Sequence, residues 1–246
     1  MILEVLGSSS AGNGYILQND TEALLIECGV PFSRVKQAVG FKINKIAGCL
    51  ISHEHGDHSR HVNDVLKAMV KVYASSGTIG SLPLKNGNYP IAMTSGKKIS
   101  IGNFTVLPFD VKHDCAEPFG FLIHHEEMGN VLFATDTYYL PYRFEGLNNI
   151  LIECNYRKDL LDSNVKAGRI PGVLLERTLE SHMSFDTCLE ALNANDLTKV
   201  NNIVLIHLSS GNSNEFEFQR DIHLATGKNV HVADKGLKIN FNKTPF

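Results

Sequence analysis

Short apolar runs recur along the chain with turn residues between them. "ILEVL" (2–6), "YILQ" (15–18) and "ALLIE" (23–27) read as strands separated by "GSSSAGNG" and "NDT". "PFSRVKQAV" (31–39) reads as a helix with Pro31 in its first turn. "IAGCLIS" (46–52) is a continuous apolar run, the pattern of a buried strand, and 59–70 is helical, with Val62, Val65, Leu66 and Met69 on one face. The middle of the chain is strand-rich ("KVYAS", "YPIAM", "KKISI", "FTVLPFD"), and 120–136 predicts a hairpin turning at Gly129-Asn130. Strand-like runs follow at 150–154 and 202–209, helical patterns at 184–195 and 214–226, and strands again in "VHVAD" and "LKINF". Asn214 with Glu217 three residues on is close to a capping box. Strand clusters mixed with helices predict an α/β fold of two sheets face to face with helices outside. No linker, charge block or repeat divides residues 1–246, so they read as one domain.

Composition narrows the function classes. Hydrophobic residues make up 43% and charged residues 20%, as in an ordinary globular protein. The net charge of −3 gives no general attraction for polyanions, so contact with nucleic acid needs a local basic patch or bound cations. Five scattered cysteines without C-x-x-C spacing suit reduced thiols, and "MILEVLGSSS" does not read as a signal peptide. No run has the length of a membrane span. Together these predict a cytoplasmic protein with no membrane partner.

The chemistry concentrates in "CLISHEHGDHSRH" (49–61). Four of the eleven histidines fall between His53 and His61, interleaved with Glu54 and Asp57. An apolar run leads straight into them. Residues two apart in an extended segment point the same way, so His53 and His55 can converge with Asp57 and His58. Imidazole with carboxylate suits zinc, manganese or iron better than calcium or magnesium. The ordinary alternative is a solvated polar loop that happens to be rich in histidine.

His53, His55, Asp57 and His58 form H-x-H-x-D-H, which resembles the signature of the metallo-β-lactamase fold. Further residues follow in that family's order: His113 in "FDVKHDCAEPFGF", Asp136 in "VLFATDT" and His207 in "VLIHLSS". The resemblance spans essentially the whole chain. It implies an αββα four-layer sandwich and two divalent metal ions, zinc, manganese or iron. One ion would be held by His53, His55 and His113, the other by Asp57, His58 and His207, with Asp136 shared. In such a centre the ions lie roughly 3.5–4 Å apart and lower the pKa of a bridging water, so that hydroxide attacks the electrophile. The resemblance gives Asp57 and Asp136 the orientation of that hydroxide.

The fold serves lactamases, thioesterases, lactonases, phosphodiesterases and nucleases, so smaller motifs must discriminate. His182 in "RTLESHMSFDTCLEAL" resembles the "GHLS" or "GHMS" element of the tRNase Z and cyclic-phosphodiesterase branches, where the histidine protonates the leaving oxygen. Such a donor suits phosphoryl transfer, because an alkoxide leaves poorly unless protonated or metal-bound. The plain alternative is a histidine at a helix start. "LGSSSAGNGYILQ" resembles the opening of the WalJ (YycJ) branch of nuclease-like proteins, and "LLIECG" its "LLIDAG", with Glu27 where aspartate is commoner. That departure lengthens a carboxylate expected to support a ligand from outside. "GSSSAGNG" itself reads either as a hairpin turn or as a substrate-contacting loop.

The resemblance therefore implies a dinuclear phosphodiesterase acting on DNA, RNA ends or a small phosphodiester, with His182 and Asp57 catalytic. The alternatives are a thioesterase or lactonase of the same fold, or a regulatory protein with a vestigial site. "DCAEPFG" after His113 and "SRH" after His58 depart from the carbonyl-hydrolysing pattern. His61, His124, His125, His223 and His231 read as surface or strand histidines, and Cys115 as a loop thiol. Residues 155–181 mix basic and acidic side chains and read as a solvated helical face or a lid.

Overall fold

The computed structural model describes residues 1–85 and 89–244. The first sheet contains β1 (Ile2–Gly7), β2 (Gly14–Gln18), β3 (Ala23–Ile26), β4 (Ile46–Leu50), β5 (Val72–Ser75), β6 (Ile91–Met93) and β14 (Lys238–Asn240). The second contains β7 (Ile99–Ile101), β8 (Phe104–Asp110), β9 (Phe119–His125), β10 (Gly129–Ala134), β11 (Leu147–Glu153), β12 (Asn202–Ile206) and β13 (Asn229–Val232). Among the described residues the strand orders are β14-β1-β2-β3-β4-β5-β6 and β13-β12-β11-β10-β9-β8-β7. In each sheet one half is parallel, β3 to β6 and β10 to β13.

Alternation of side chains builds the layers. Leu24 and Ile26 of β3, with Val204 and Ile206 of β12, face the core shared by the sheets, beside Phe104, Phe119, Phe121 and Phe133. Their neighbours Ala23 and Leu25 face outward beneath α1 (Phe32–Ala38) and α3 (Val62–Lys67), through Val35, Val62 and Val65. On the opposite outer face Ile203 and Leu205 pack with Cys188 and Leu192 of α7 (Phe185–Asn193) and with Phe218 and Ile222 of α8 (Glu215–Thr226). Full burial of a side chain of this kind contributes about 1.5–3 kcal/mol. The result is the αββα sandwich implied by the sequence. Asn214 caps α8, its side chain accepting from Glu217 N.

Several local expectations are corrected. Helix α3 stops at Lys67, and Met69 adopts φ 64 and is 86% exposed rather than lining the apolar face. It occupies the left-handed position that ends a helix, usually filled by glycine. The 120–136 hairpin turns through residues 126–128, since Gly129 already pairs with His125. Gly129, at φ 65, supplies the left-handed residue that a three-residue loop needs. His125 is buried and bonded to Glu22 (3.0 Å), where Asn103 also donates to the carboxylate. Residues 155–181 form α5 (Lys158–Lys166) and α6 (Gly172–Ser181), with Arg157 paired to Asp159 and Glu217. Two short helices, α2 (Gly56–Ser59) and α4 (Ser76–Ser81), and a 3-10 turn at Ile43–Lys45 lie beyond what the apolar pattern predicts.

Candidate metal centre

Parallel strands present their carboxyl ends at one edge of each sheet, where loops are free to gather side chains. Glu27 follows β3, and His53 and His55 follow the run that continues β4. Asp57 and His58 sit on α2, and His113 lies in the loop between β8 and β9. Asp136 comes two residues after β10, Glu153 ends β11, and His207 follows β12. Glu27, Asp136 and His207 have φ of 63, 46 and 54. Non-glycine residues seldom hold that conformation, and here it turns the chain sharply so that each side chain points along the edge.

All seven residues singled out in the sequence meet there. Donor atoms of His53, His55 and His113 lie within 4.8 Å of one another, as do those of Asp57, His58 and His207. Asp136 stands between the two sets. Its Oδ2 is 3.8 Å from His53 Nε2 and 3.5 Å from His113 Nε2. Its Oδ1 is 3.4 Å from His58 Nε2 and 3.5 Å from His207 Nδ1. Asp57 Oδ2 is 3.3 Å from His58 Nε2 and 3.2 Å from His207 Nε2.

A ring of outer partners fixes the imidazoles. His113 Nδ1 donates to the Ser181 carbonyl (2.9 Å), which leaves the Nε2 lone pair aimed at His55 Nδ1, 3.1 Å away. Ser52 Oγ engages His53 Nδ1 at 2.9 Å. Glu27 lies 3.6 Å from His58 Nδ1 and accepts from Ser52 N, so the longer acid still reaches the supporting position. Glu153 Oε1 accepts from His182 Nδ1 (2.7 Å) and lies 3.2 Å from His207 Nδ1. Glu153 Oε2 takes the backbone N–H of Thr137 and Met183. The His182 ring lies 5.5 Å from His113 and stacks 5.3 Å from His207, inside the cluster.

The charges respond to this crowding. Burial disfavours ionisation of Asp136, yet His207 and His58 hold it well below the usual carboxylate range. Burial likewise opposes protonation of His207, but Asp136, Asp57 and Glu153 raise it to about 10. His58 is raised for the same reason, by Asp136 and Glu27 against burial. His53 goes the other way, pushed well below its ordinary value by burial and the neighbouring His58. The surrounding carboxylates thus make a place that favours positive charge, where a cation would compete with protons for His58 and His207.

Residues 24–208 match the family model described as the Beta-lactamase superfamily domain. The chain belongs to that superfamily. Exodeoxyribonuclease YycJ of Bacillus anthracis is 29% identical over 85% of this chain and 83% of its own length. Exodeoxyribonuclease WalJ of Streptococcus pneumoniae is 26% identical over 96% of this chain and 91% of its own. The crystal structure of the metallo-β-lactamase fold protein YhfI from Bacillus subtilis superposes with a TM-score of 0.73 at 17% identity, covering 97% and 99% of the two chains. The chain thus stands among the hydrolases of the metallo-β-lactamase fold.

The residues present fit the divalent metal that the superfamily implies. The buried His53 Nε2 has no hydrogen-bond partner among the described residues. A buried polar atom left this way costs about 1–3 kcal/mol. For His53 the unpaired nitrogen faces Asp136, where a cation would satisfy it. Cys115 belongs to none of the donor clusters of the described residues, and burial, with Glu54 and Asp114 nearby, pushes its thiol up to about 12.

Several residues of the site were missed in the sequence. Asn13, fully buried in the β1–β2 loop, donates to Asp57 Oδ2 (3.3 Å) and lies 3.1 Å from His58 Nε2. Ser8 Oγ accepts from His207 N at 2.9 Å. Glu153 carried a usable signal, an acid following the apolar run 150–152, whereas Ser8 and Asn13 lie in "GSSSAGNG", whose reading as a turn or a substrate-contacting loop gave neither residue a role.

The close approach of this loop rests on Gly29. A Cβ there would lie 1.6 Å from the Asp57 carbonyl oxygen and 2.9 Å from Asn13 N. Both are backbone atoms, so relief requires moving the segment that carries Asp57 and His58. Gly29→Ala is expected to lower stability by about 1–3 kcal/mol, the usual range for overpacking. At roughly 2–4 °C per kcal/mol, thermal denaturation reads the change. Metal content should fall with it, and a variant with wild-type melting and metal content would refute the close-contact account.

At the Asp57–His207 end a cleft of about 430 Å³ is lined by the Ser8–Gly12 loop, Arg34, Arg60 and Lys235, with Asp234 as its acidic residue. Three basic side chains against one acidic one make this a local basic patch on a chain of net charge −3. No helix of the described residues is long and apolar enough to cross a membrane.

Proposed function

We propose that the chain is a two-metal phosphodiesterase that degrades DNA or RNA from an end. The observation that carries this reading is the His182–Glu153 pair set beside the clustered ligands. His53, His55 and His113 would hold one divalent ion, and Asp57, His58 and His207 the other, with Asp136 between them. Bound there, zinc, manganese or iron ions supply Lewis acidity and a water of lowered pKa.

The chain's own groups do the rest. Asp57 and Asp136, both held as carboxylates, accept hydrogen bonds from the attacking water and orient it. Burial lowers the tendency of His182 to ionise, but Glu153 outweighs this and raises its pKa. His182 is thereby favoured by Glu153 in its doubly protonated form. Its Nδ1–H is engaged by Glu153, so Nε2–H is the proton passed to the departing oxygen. The basic cleft receives phosphates of the rest of the strand. The two exodeoxyribonucleases, similar along most of their length, support a nucleic-acid substrate.

The test uses oligonucleotides labelled at either end, with protein reconstituted with manganese or zinc. Nucleotides should be released stepwise from one end, and a chelator should stop the release. Absence of release, together with turnover of thioesters or lactones by the same preparation, would overturn the proposal.

A further inference from the structure

At the His113 end a second cavity, of about 830 Å³, adjoins the site. That is within the range of about 300–1,000 Å³ usual for small-ligand sites. Its walls come from the loop between β8 and β9, the segment after Asp136, and the C-terminal half of α6. Tyr138 and Leu179 line it while 42% and 39% exposed, so it offers an aromatic and an aliphatic surface together.

The charges here differ from those of the basic cleft. Lys112 and Arg177 face Asp114, Glu176 and Glu180. Arg177 is already paired with Asp114 at 3.0 Å. The remainder, one lysine against two glutamates, does not favour phosphate. Carboxylates beside an aromatic ring suit a nucleobase, whose exocyclic amines donate and whose face stacks.

The backbone beside Tyr138 is held in place. Thr137 N donates to Glu153, Thr137 Oγ1 donates to the Tyr139 carbonyl (2.8 Å), and Lys112 N donates to Thr137 Oγ1 (3.0 Å). The ring therefore stands on a segment pinned to the site, two residues from Asp136. A ready-made surface loses little freedom on binding.

We propose that this cavity takes the unpaired base of the terminal nucleotide, stacked on Tyr138, while the strand's phosphates run toward Arg34, Arg60 and Lys235. The end base must be unpaired to enter the cavity, so the last pair of a duplex end has to fray first. This inference rests on the nuclease reading above.

The experiment is a cycle of four kcat/KM values. Wild type and Tyr138→Ala act on single-stranded oligonucleotides whose end nucleotide is either intact or abasic. Loss of one stacked base by alanine substitution corresponds to roughly 5- to 150-fold. Tyr138→Ala should lose that factor on the intact end and nothing further on the abasic end. Tyr138→Phe should restore the wild-type rate, and metal content should be equal in all three proteins. An equal loss on both ends would make Tyr138 a structural residue and overturn the proposal, as would no loss on either. If the wild type degrades the oligonucleotide, either outcome removes the base pocket alone. If it degrades none, the nuclease reading fails first and the pocket with it.

Discussion

Asp136→Ala is expected to abolish turnover and to strip the protein of metal. The carboxylate has one oxygen toward His53 and His113 and the other toward His58 and His207. Removing it takes a shared contact from both sets at once and leaves four imidazoles crowded without their central anion. Alanine also fits the φ of 46 poorly, so a misfolded variant would give the same loss of activity. Asp136→Asn separates the two effects, because asparagine tolerates the left-handed region and keeps the shape. The asparagine protein should melt as a folded protein yet hold less metal and show turnover at the background rate. Metal analysis alongside the rate of bis(p-nitrophenyl) phosphate hydrolysis reads both. Wild-type turnover in either variant would remove Asp136 from the centre.

His182→Ala is expected to keep the metal and lose turnover by roughly two to four orders of magnitude, the usual contribution of a positioned proton donor. The loss should depend on the leaving group. A nitrophenolate departs without help, so hydrolysis of its esters should suffer much less than cleavage of a nucleotide linkage. Equal loss on both substrates would point to a damaged site, and wild-type cleavage of oligonucleotides would end the assignment. Glu153 is the natural companion, because its Oε1 meets both His182 and His207.

The sequence made legible whatever was short-range and periodic. The apolar runs marked β3, β4, β11 and β12 because each strand is buried on both faces and needs no alternation with polar residues. The seven clustered residues were legible because four polar motifs follow apolar runs in a fixed order. Asn13 and Ser8 were not, because their importance depends on the β1–β2 loop crossing to Asp57 and His207, contacts 44 and 199 residues away along the chain. The end of α3 before Met69 was missed for a related reason: nothing in a methionine announces a left-handed residue. His125 looked like a strand-face polar residue, and only the packing of Glu22 and Asn103 against it explains its burial.

The centre draws on both sheets. His53, His55, Asp57 and His58 extend from the first, and His113, Asp136 and His207 from the second. A cation gripping both groups is a cross-link across the sandwich that the unfolded chain cannot make. Occupancy would then favour the folded form by about 4 kcal/mol when free metal exceeds the dissociation constant a thousandfold. A cell short of metal would lose the molecule itself to unfolding and proteolysis, so supply of the ion would govern abundance as well as rate.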